Sequence, residues 1–275
     1  MLKKRIITGV ILALIFIGSL LLSPQGTLIF LAVAATIAGW EWGRLAGWNP
    51  TGQNVFTLVM ALVLLALLAF TNEPGWYASK GFELAMAGAT TLWAILFLWV
   101  ISYPASTTLW SHRWLRTLLG LLLISFVWLA LAYLRVQENG SWLILYLVLI
   151  VVAADIGAYF TGKAIGKRKL APKVSPGKTW EGFFGGLTLV AAVSLVVANL
   201  YGLPGMTALQ AVILSIVTAA VSAVGDLSVS MFKREANMKD SSNLLPGHGG
   251  VLDRVDSILA AGPMFAFGLL MAAQL

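Results

Sequence analysis

Three aspartates, a histidine, an arginine and a lysine are crowded into KDSSNLLPGHGGVLDRVDS, residues 239–257. Asp253 and Asp256 are three apart, so they share one face if a helix starts near Val251. Like charges at that spacing repel unless a cation sits between them, and a divalent ion would resolve the repulsion. Oxygen-only ligands favour Mg²⁺, or Mn²⁺, over zinc. His248, Gly249 and Gly250 form a flexible approach to that helix, where backbone N–H groups and the helix terminus favour an anion. His248 could position a phosphate, shuttle a proton or only cap the helix. Upstream, GDLSVSMFKR sets Asp226, Ser230 and Lys233 at i, i+4 and i+7. On a helix one face then carries a carboxylate, a hydroxyl and an ammonium.

A second polar stretch, TGKAIGKRKLAPKVSPGKTWEG, holds six basic residues among four glycines and two prolines. Such a loop can hold phosphates as a set of point charges. Its Gly-Lys-Thr is not a Walker site, because no glycine stands at the required spacing before it. The bland alternative is a positive stop signal beside a membrane. The glycines, Ser175, Thr179 and Trp180 interleaved with the charges argue for more than that. Carboxylates suited to Mg²⁺ beside many cations fit polyanions carried with a metal: nucleoside triphosphates, pyrophosphate or phospholipid headgroups. Phosphoryl-type transfer depends on positioning and charge neutralisation more than on covalent help. The chain has no cysteine, so disulfides and thiolate sites are excluded.

The elements that must position these groups are membrane helices. The 275 residues are 59% hydrophobic and 11% charged, against about 25% charged in a soluble domain. The expected fold is an all-α polytopic membrane protein. Nine apolar runs are long enough to span: Ile6–Leu22, Thr27–Gly47, Val55–Phe70, Phe82–Ser102, Leu115–Leu134, Trp142–Thr161, Gly182–Tyr201, Thr207–Phe232 and Ser257–Gln274. The eighth exceeds the hydrocarbon core, so its C-terminal end should project beyond the lipid. Residues 1–140 hold the first five spans. Residues 141–275 hold four more with both polar loops and form the catalytic part of one integral unit. With a cytoplasmic N-terminus, sixteen of the eighteen Lys and Arg fall on the cytoplasmic side, all but Lys80 and Arg135. That asymmetry gives an N-in, C-out topology. Asp155 and Asp226 lie inside apolar runs, where a carboxylate needs a polar cavity and a partner.

SMFKREANMKDSSNLLPGHGGVLDRVD, residues 230–256, resembles the signature of the phosphatidate cytidylyltransferases, or CDP-diacylglycerol synthases, of the bacterial type. That signature runs Ser-x-hydrophobic-Lys-Arg, Lys-Asp, Pro-x-His-Gly-Gly, then hydrophobic-x-Asp-Arg-hydrophobic-Asp, and every fixed position is present. ADIGAYFTGKAIGKRKLAPKVSPGKTWEG and AGWEWGRLAG resemble two further family blocks. One departure is Ile156, where relatives often carry Thr or Ser. The resemblance implies that CTP and phosphatidic acid give CDP-diacylglycerol and pyrophosphate. It also implies a homodimer in the bacterial cytoplasmic (inner) membrane, with a site open to the cytoplasm. Membrane lipid is then a partner and nucleic acid is not. Asp226 and Asp253 match the family's Mg²⁺ ligands, with a monovalent cation such as K⁺ nearby. Lys233, Arg234, Lys239 and Arg254 would offset repulsion between the substrates. Lys173, Ser175, Lys178 and Thr179 would take the pyrophosphate end or the lipid phosphate. Asp256 would hold Arg254 or Lys233 or add a metal ligand, and Asp155 would stand behind the site. The alternatives are a CTP-dependent lipid-alcohol kinase and, from another class, an anion transporter. A reporter fused to the C-terminus should lie outside the cytoplasm, and cytoplasmic activity of that fusion would overturn the nine-span topology.

Overall fold

The structure is a computed structural model that describes residues 2–273, with side chains from residue 7 onward. Gln274, the expected end of the last span, lies outside the described residues. Each expected span is a helix. In order they are α1 (Leu2–Leu20), α2 (Pro24–Leu45), α3 (Pro50–Phe70), α4 (Lys80–Ser102), the short α5 (Thr107–Trp110), α6 (Arg113–Val136), α7 (Gly140–Ile165), α8 (Trp180–Leu200), α9 (Ala208–Glu235) and α10 (Leu252–Ala272). Among the described residues eight are long and apolar enough to cross a membrane. The apolar part of α1, Ile7–Leu20, is shorter. The protein is a polytopic bundle of membrane helices. The third span begins five residues before its apolar run: Asn49 caps it and Pro50 opens it, because proline is pre-set for the first helical turn.

Among the described residues the only paired strands are local. Lys169–Ala171 (β1) and Ser175–Thr179 (β2) pair antiparallel across a tight turn within the lysine-rich stretch. Thr179 ends the hairpin and caps α8, accepting a hydrogen bond from Gly182 N. Glu181 accepts from the backbone N–H groups of Lys167 and Arg168, which fastens the start of the hairpin to the same helix end. Two open ends of backbone are thereby satisfied without water.

Helix α10 is the hub of the bundle, packing on α9, α6, α4, α7 and α2. Its contact with α9 depends on Gly225, where a Cβ would stand 2.5 Å from Asp256 O and 3.0 Å from Ala260 Cβ. Close backbone approach is how membrane helices associate, since lipid is as apolar as leucine. The approach at Gly225 sets Asp226 beside the first turns of α10. Phe232, one residue before Lys233, packs on Trp42 of α2 and Trp110 of α5, with ring centroids 5.2 and 4.9 Å away. These buried rings fix the last turn of α9. Facing outward, Leu58, Leu62 and Leu65 of α3 are exposed, as lipid-facing positions should be.

Helices α7 and α8 meet along a glycine seam. A Cβ on Gly157 would lie 2.8 Å from Gly185 O and 2.9 Å from Gly186 Cα. Gly157→Leu should therefore separate the pair and cost roughly 1–3 kcal/mol of overpacking, seen as a lower melting temperature in detergent. Gly88→Ala, where nothing lies within 4 Å, is the control and should melt with the parent protein.

Candidate active site

The ends of α7, α9 and α2 and the starts of α8 and α10 meet at one face of the bundle, with the β-hairpin over them. Two carboxylates there have different surroundings. Asp253 opens α10 and is 4% exposed at its side chain. Its Oδ1 accepts from Lys233 Nζ at 2.8 Å. Its Oδ2 accepts from Ser241 N at 2.8 Å, Gly250 N at 2.9 Å and Ser241 Oγ at 3.0 Å. A carboxylate has about four lone-pair positions, so little capacity is left, and what is left is on Oδ1. Gly249, at φ +77°, gives the turn its left-handed step. A Cβ there would meet Asp253 Oδ2 at 2.6 Å. In this turn the Gly250 N–H is given to the chain's own Asp253.

Asp226 is more open. Its Oδ1 accepts from Ser230 Oγ at 3.2 Å, confirming the i, i+4 face. Its Oδ2 pairs with Lys178 of β2, both side chains being more than a quarter exposed. Asp155 and Asp256 are its electrostatic neighbours. Lys233 touches Asp253 and also acts on Asp226 and Asp256. The cation required between the aspartates of α10 is thus partly supplied by α9. Arg254 is exposed and within electrostatic reach of Asp155.

Beside Asp226 a cavity of about 390 Å³ opens between α7, α8, α9 and the hairpin. Its charged lining is Asp155, Lys163 and Lys178, and most of the remainder is apolar or glycine, including Ala154, Phe183 and Leu187. A second cavity, about 340 Å³, lies between α4 and the hairpin and includes Lys173. Arg234 Nε donates to Val174 O at 3.1 Å, so it anchors the hairpin to α9. Thr179 is buried as the α8 cap, and Ser175 is half-buried at the start of β2. Lys239 and Asp240 are exposed, and Asp240 lies against Gly249. His248 faces α1: a Cβ on Gly9 would be 3.7 Å from its ring. Thr8 donates to Pro246 O nearby.

The sequence reading passed over Glu41. It is fully buried in α2 and accepts from Ser242 Oγ, Val251 N and Leu252 N, and it lies 3.2 Å from Ser241 Oγ, whose single proton is shared with Asp253. The signal was available, because Glu41 lies inside an apolar run as Asp155 and Asp226 do.

Fold and site together define a polytopic membrane protein that gathers carboxylates and cations around an apolar cavity at one bundle face. The sequence model of the cytidylyltransferase family matches residues 3–272, and the chain belongs to that family. It is 43% identical to the phosphatidate cytidylyltransferase of Pseudomonas aeruginosa, over 99% of this chain and 98% of that one. It is 40% identical to the one from Haemophilus influenzae, over 97% and 98%. The more distant phosphatidate cytidylyltransferase of Bacillus subtilis is 29% identical over 96% of each chain.

Lys233→Met should leave Asp253 buried without its cation and cost about 3–5 kcal/mol, read by unfolding in detergent. Adding Asp253→Asn should recover much of that loss, because the amide oxygen still accepts from Ser241 and Gly250.

Proposed function

We propose that the chain transfers the cytidylyl group of CTP to phosphatidic acid, giving CDP-diacylglycerol and pyrophosphate for phospholipid synthesis. The observation that carries this reading is the placement of Asp155 and Lys178 in the wall of an apolar cavity, with Asp226 paired to Lys178 beside it. One substrate is a soluble polyanion and the other is a lipid with an anionic head, and this site offers surfaces for both. In the same reading the chain is a homodimer in the bacterial inner membrane. Its site faces the cytoplasm, on the side that carries the basic loops.

In the reaction an oxygen of the lipid phosphate bonds to the α-phosphorus of CTP. The bond from that phosphorus to the oxygen bridging to the β-phosphorus breaks, and pyrophosphate leaves with the electron pair. The work of the protein is to bring two like-charged reactants together. Lys178 sits where it can exchange Asp226 for a phosphate oxygen. Lys163 and Lys178 present charge at the cavity, whose apolar wall suits the acyl part of the lipid. Lys173, Arg234, Lys239 and Arg254 supply further positive charge around the hairpin and the signature loop. Lys233 has two donors beyond the one given to Asp253. It holds that carboxylate while facing Asp226.

Among the described residues no three His, Asp or Glu form a ready-made metal cluster. The donors nonetheless fit Mg²⁺, or Mn²⁺, which is commonly held by one or two carboxylates with substrate phosphates and water. Asp226 and the remaining lone pair of Asp253 Oδ1 would hold it, with Asp256 as a further candidate ligand and a monovalent cation such as K⁺ as a companion. When bound, the divalent ion would neutralise charge on the triphosphate and polarise the α-phosphate.

With [α-³²P]CTP and phosphatidic acid, label should enter the lipid. Label only in free nucleotide would mean a lipid-alcohol kinase, and CTP binding without turnover would favour an anion transporter. Asp226→Asn and Asp253→Asn should each lower turnover on the order of 100-fold or more in protein that remains folded. Chelation of divalent ions should stop the reaction and added Mg²⁺ restore it.

A further inference from the structure

Glu41 belongs to the N-terminal part of the chain, some two hundred residues from the groups it touches. It is 0% exposed. Oε1 accepts from Ser242 Oγ at 2.5 Å and from Val251 N at 3.0 Å. Oε2 accepts from Leu252 N at 2.6 Å and lies 3.2 Å from Ser241 Oγ. One turn later on α2, Arg44 Nη1 donates to Ser241 O at 3.2 Å. The two side chains grip the signature loop at Ser241 from both sides. Ser241 is also the residue whose N–H and hydroxyl hold Asp253 Oδ2. Val251 and Leu252 are the two residues before Asp253 in the chain. Nearly every group that places Asp253, apart from Lys233, is therefore fixed to α2 through Glu41. Gly250 records the tightness of this clamp, since a Cβ there would collide with both Glu41 Oε1 and Ser241 Oγ.

We propose that Glu41 is a positioning residue for the reaction. It acts through Asp253 by holding the Ser241–Ser242 turn and the first turn of α10 in register. The proposal rests on the reading of Asp253 as a reaction residue. A glutamine at this place has one accepting oxygen and an NH₂ group, so the serine hydroxyl opposite the NH₂ must turn to accept and one backbone N–H, of Val251 or Leu252, loses its acceptor. The loop must then shift, and a displacement of about 1 Å in a reacting group costs on the order of 100-fold in rate.

The test is Glu41→Gln and Glu41→Asp in full-length purified protein, with kcat, KM for each substrate and melting temperature measured together. The expected result for Glu41→Gln is a fall in kcat of about 10-fold or more per folded molecule, with KM for CTP moving less than about 3-fold. Glu41→Asp keeps the charge with a shorter reach and should lose less. A purely structural Glu41 would lower melting temperature and yield but leave kcat per folded molecule at the parent value, and that result overturns the proposal. If neither variant folds, Ser242→Ala decides. It removes one hydrogen bond to Glu41 and none to Asp253, and an unchanged kcat would overturn the proposal equally. Asp253→Asn in the same assay separates the two levels. Full turnover there defeats the reading of Asp253 itself, whereas a dead Asp253→Asn beside a fully active Glu41→Gln defeats only the role of Glu41.

Discussion

The ion pair between Lys233 and Asp253 is the constraint around which the polar end of the molecule is organised. Two opposite charges, 11% and 4% exposed, are held 2.8 Å apart in a protein that is otherwise mostly apolar. Such a pair is tolerable only when its remaining lone pairs and protons are also engaged. That requirement propagates outward. It calls for the N–H groups of Ser241 and Gly250 and for a glycine at 249, where the backbone runs against the carboxylate. It also ties the last turn of α9 to the first turn of α10, so the loop between them is a closed circuit rather than a tether. The rings of Trp42 and Trp110 around Phe232 then keep the lysine end of the circuit from moving along its helix.

Against that rigid half, the other half of the site is made to yield. Asp226 of α9 and Lys178 of β2 form a partly buried pair, less enclosed than that of Lys233 and Asp253. The arrangement separates two tasks that a single carboxylate could not combine. Asp253 is over-determined and serves as a fixed reference. Asp226 is paired with a lysine from a different element, β2. Because Gly225 lets α9 lie close on α10, Asp226 and Asp253 are presented from two helices in contact.

Much of this was legible in the sequence, and the exceptions have physical causes. Hydropathy located every span, since length and apolarity are what a bilayer selects. The spacing of Asp226 and Ser230 gave a real hydrogen bond, because helical periodicity is local. The β-hairpin was hidden. Its strands are three and five residues long and rich in lysine and proline, and their pairing is secured by Glu181 and the α8 cap instead of by β-propensity. Thr179 was expected to meet substrate with the rest of the lysine-rich stretch, and its hydroxyl accepts from Gly182 N as the cap of α8, a task common for threonine before a helix. Glu41 was missed as a member of the site because its partners are four donors some two hundred residues away, a relation no spacing rule contains.

These contacts also explain why the chemistry gathers where helices end. In the hydrocarbon layer a backbone N–H is already used within its own helix. Only at a helix start are unpaired N–H groups present to satisfy a carboxylate. Asp253 and Glu41 draw on the same stock, the free donors around the first turn of α10, and divide it between them: Ser241 N and Gly250 N to one, Val251 N and Leu252 N to the other. A second carboxylate at a helix terminus would ordinarily compete with the first. Here each is held by donors the other does not use, with the Ser241 hydroxyl alone within reach of both. The N-terminal half of the chain is thereby coupled to the signature loop by donors adjacent to those that hold its aspartate, and a lipid-facing bundle acquires a fixed polar floor.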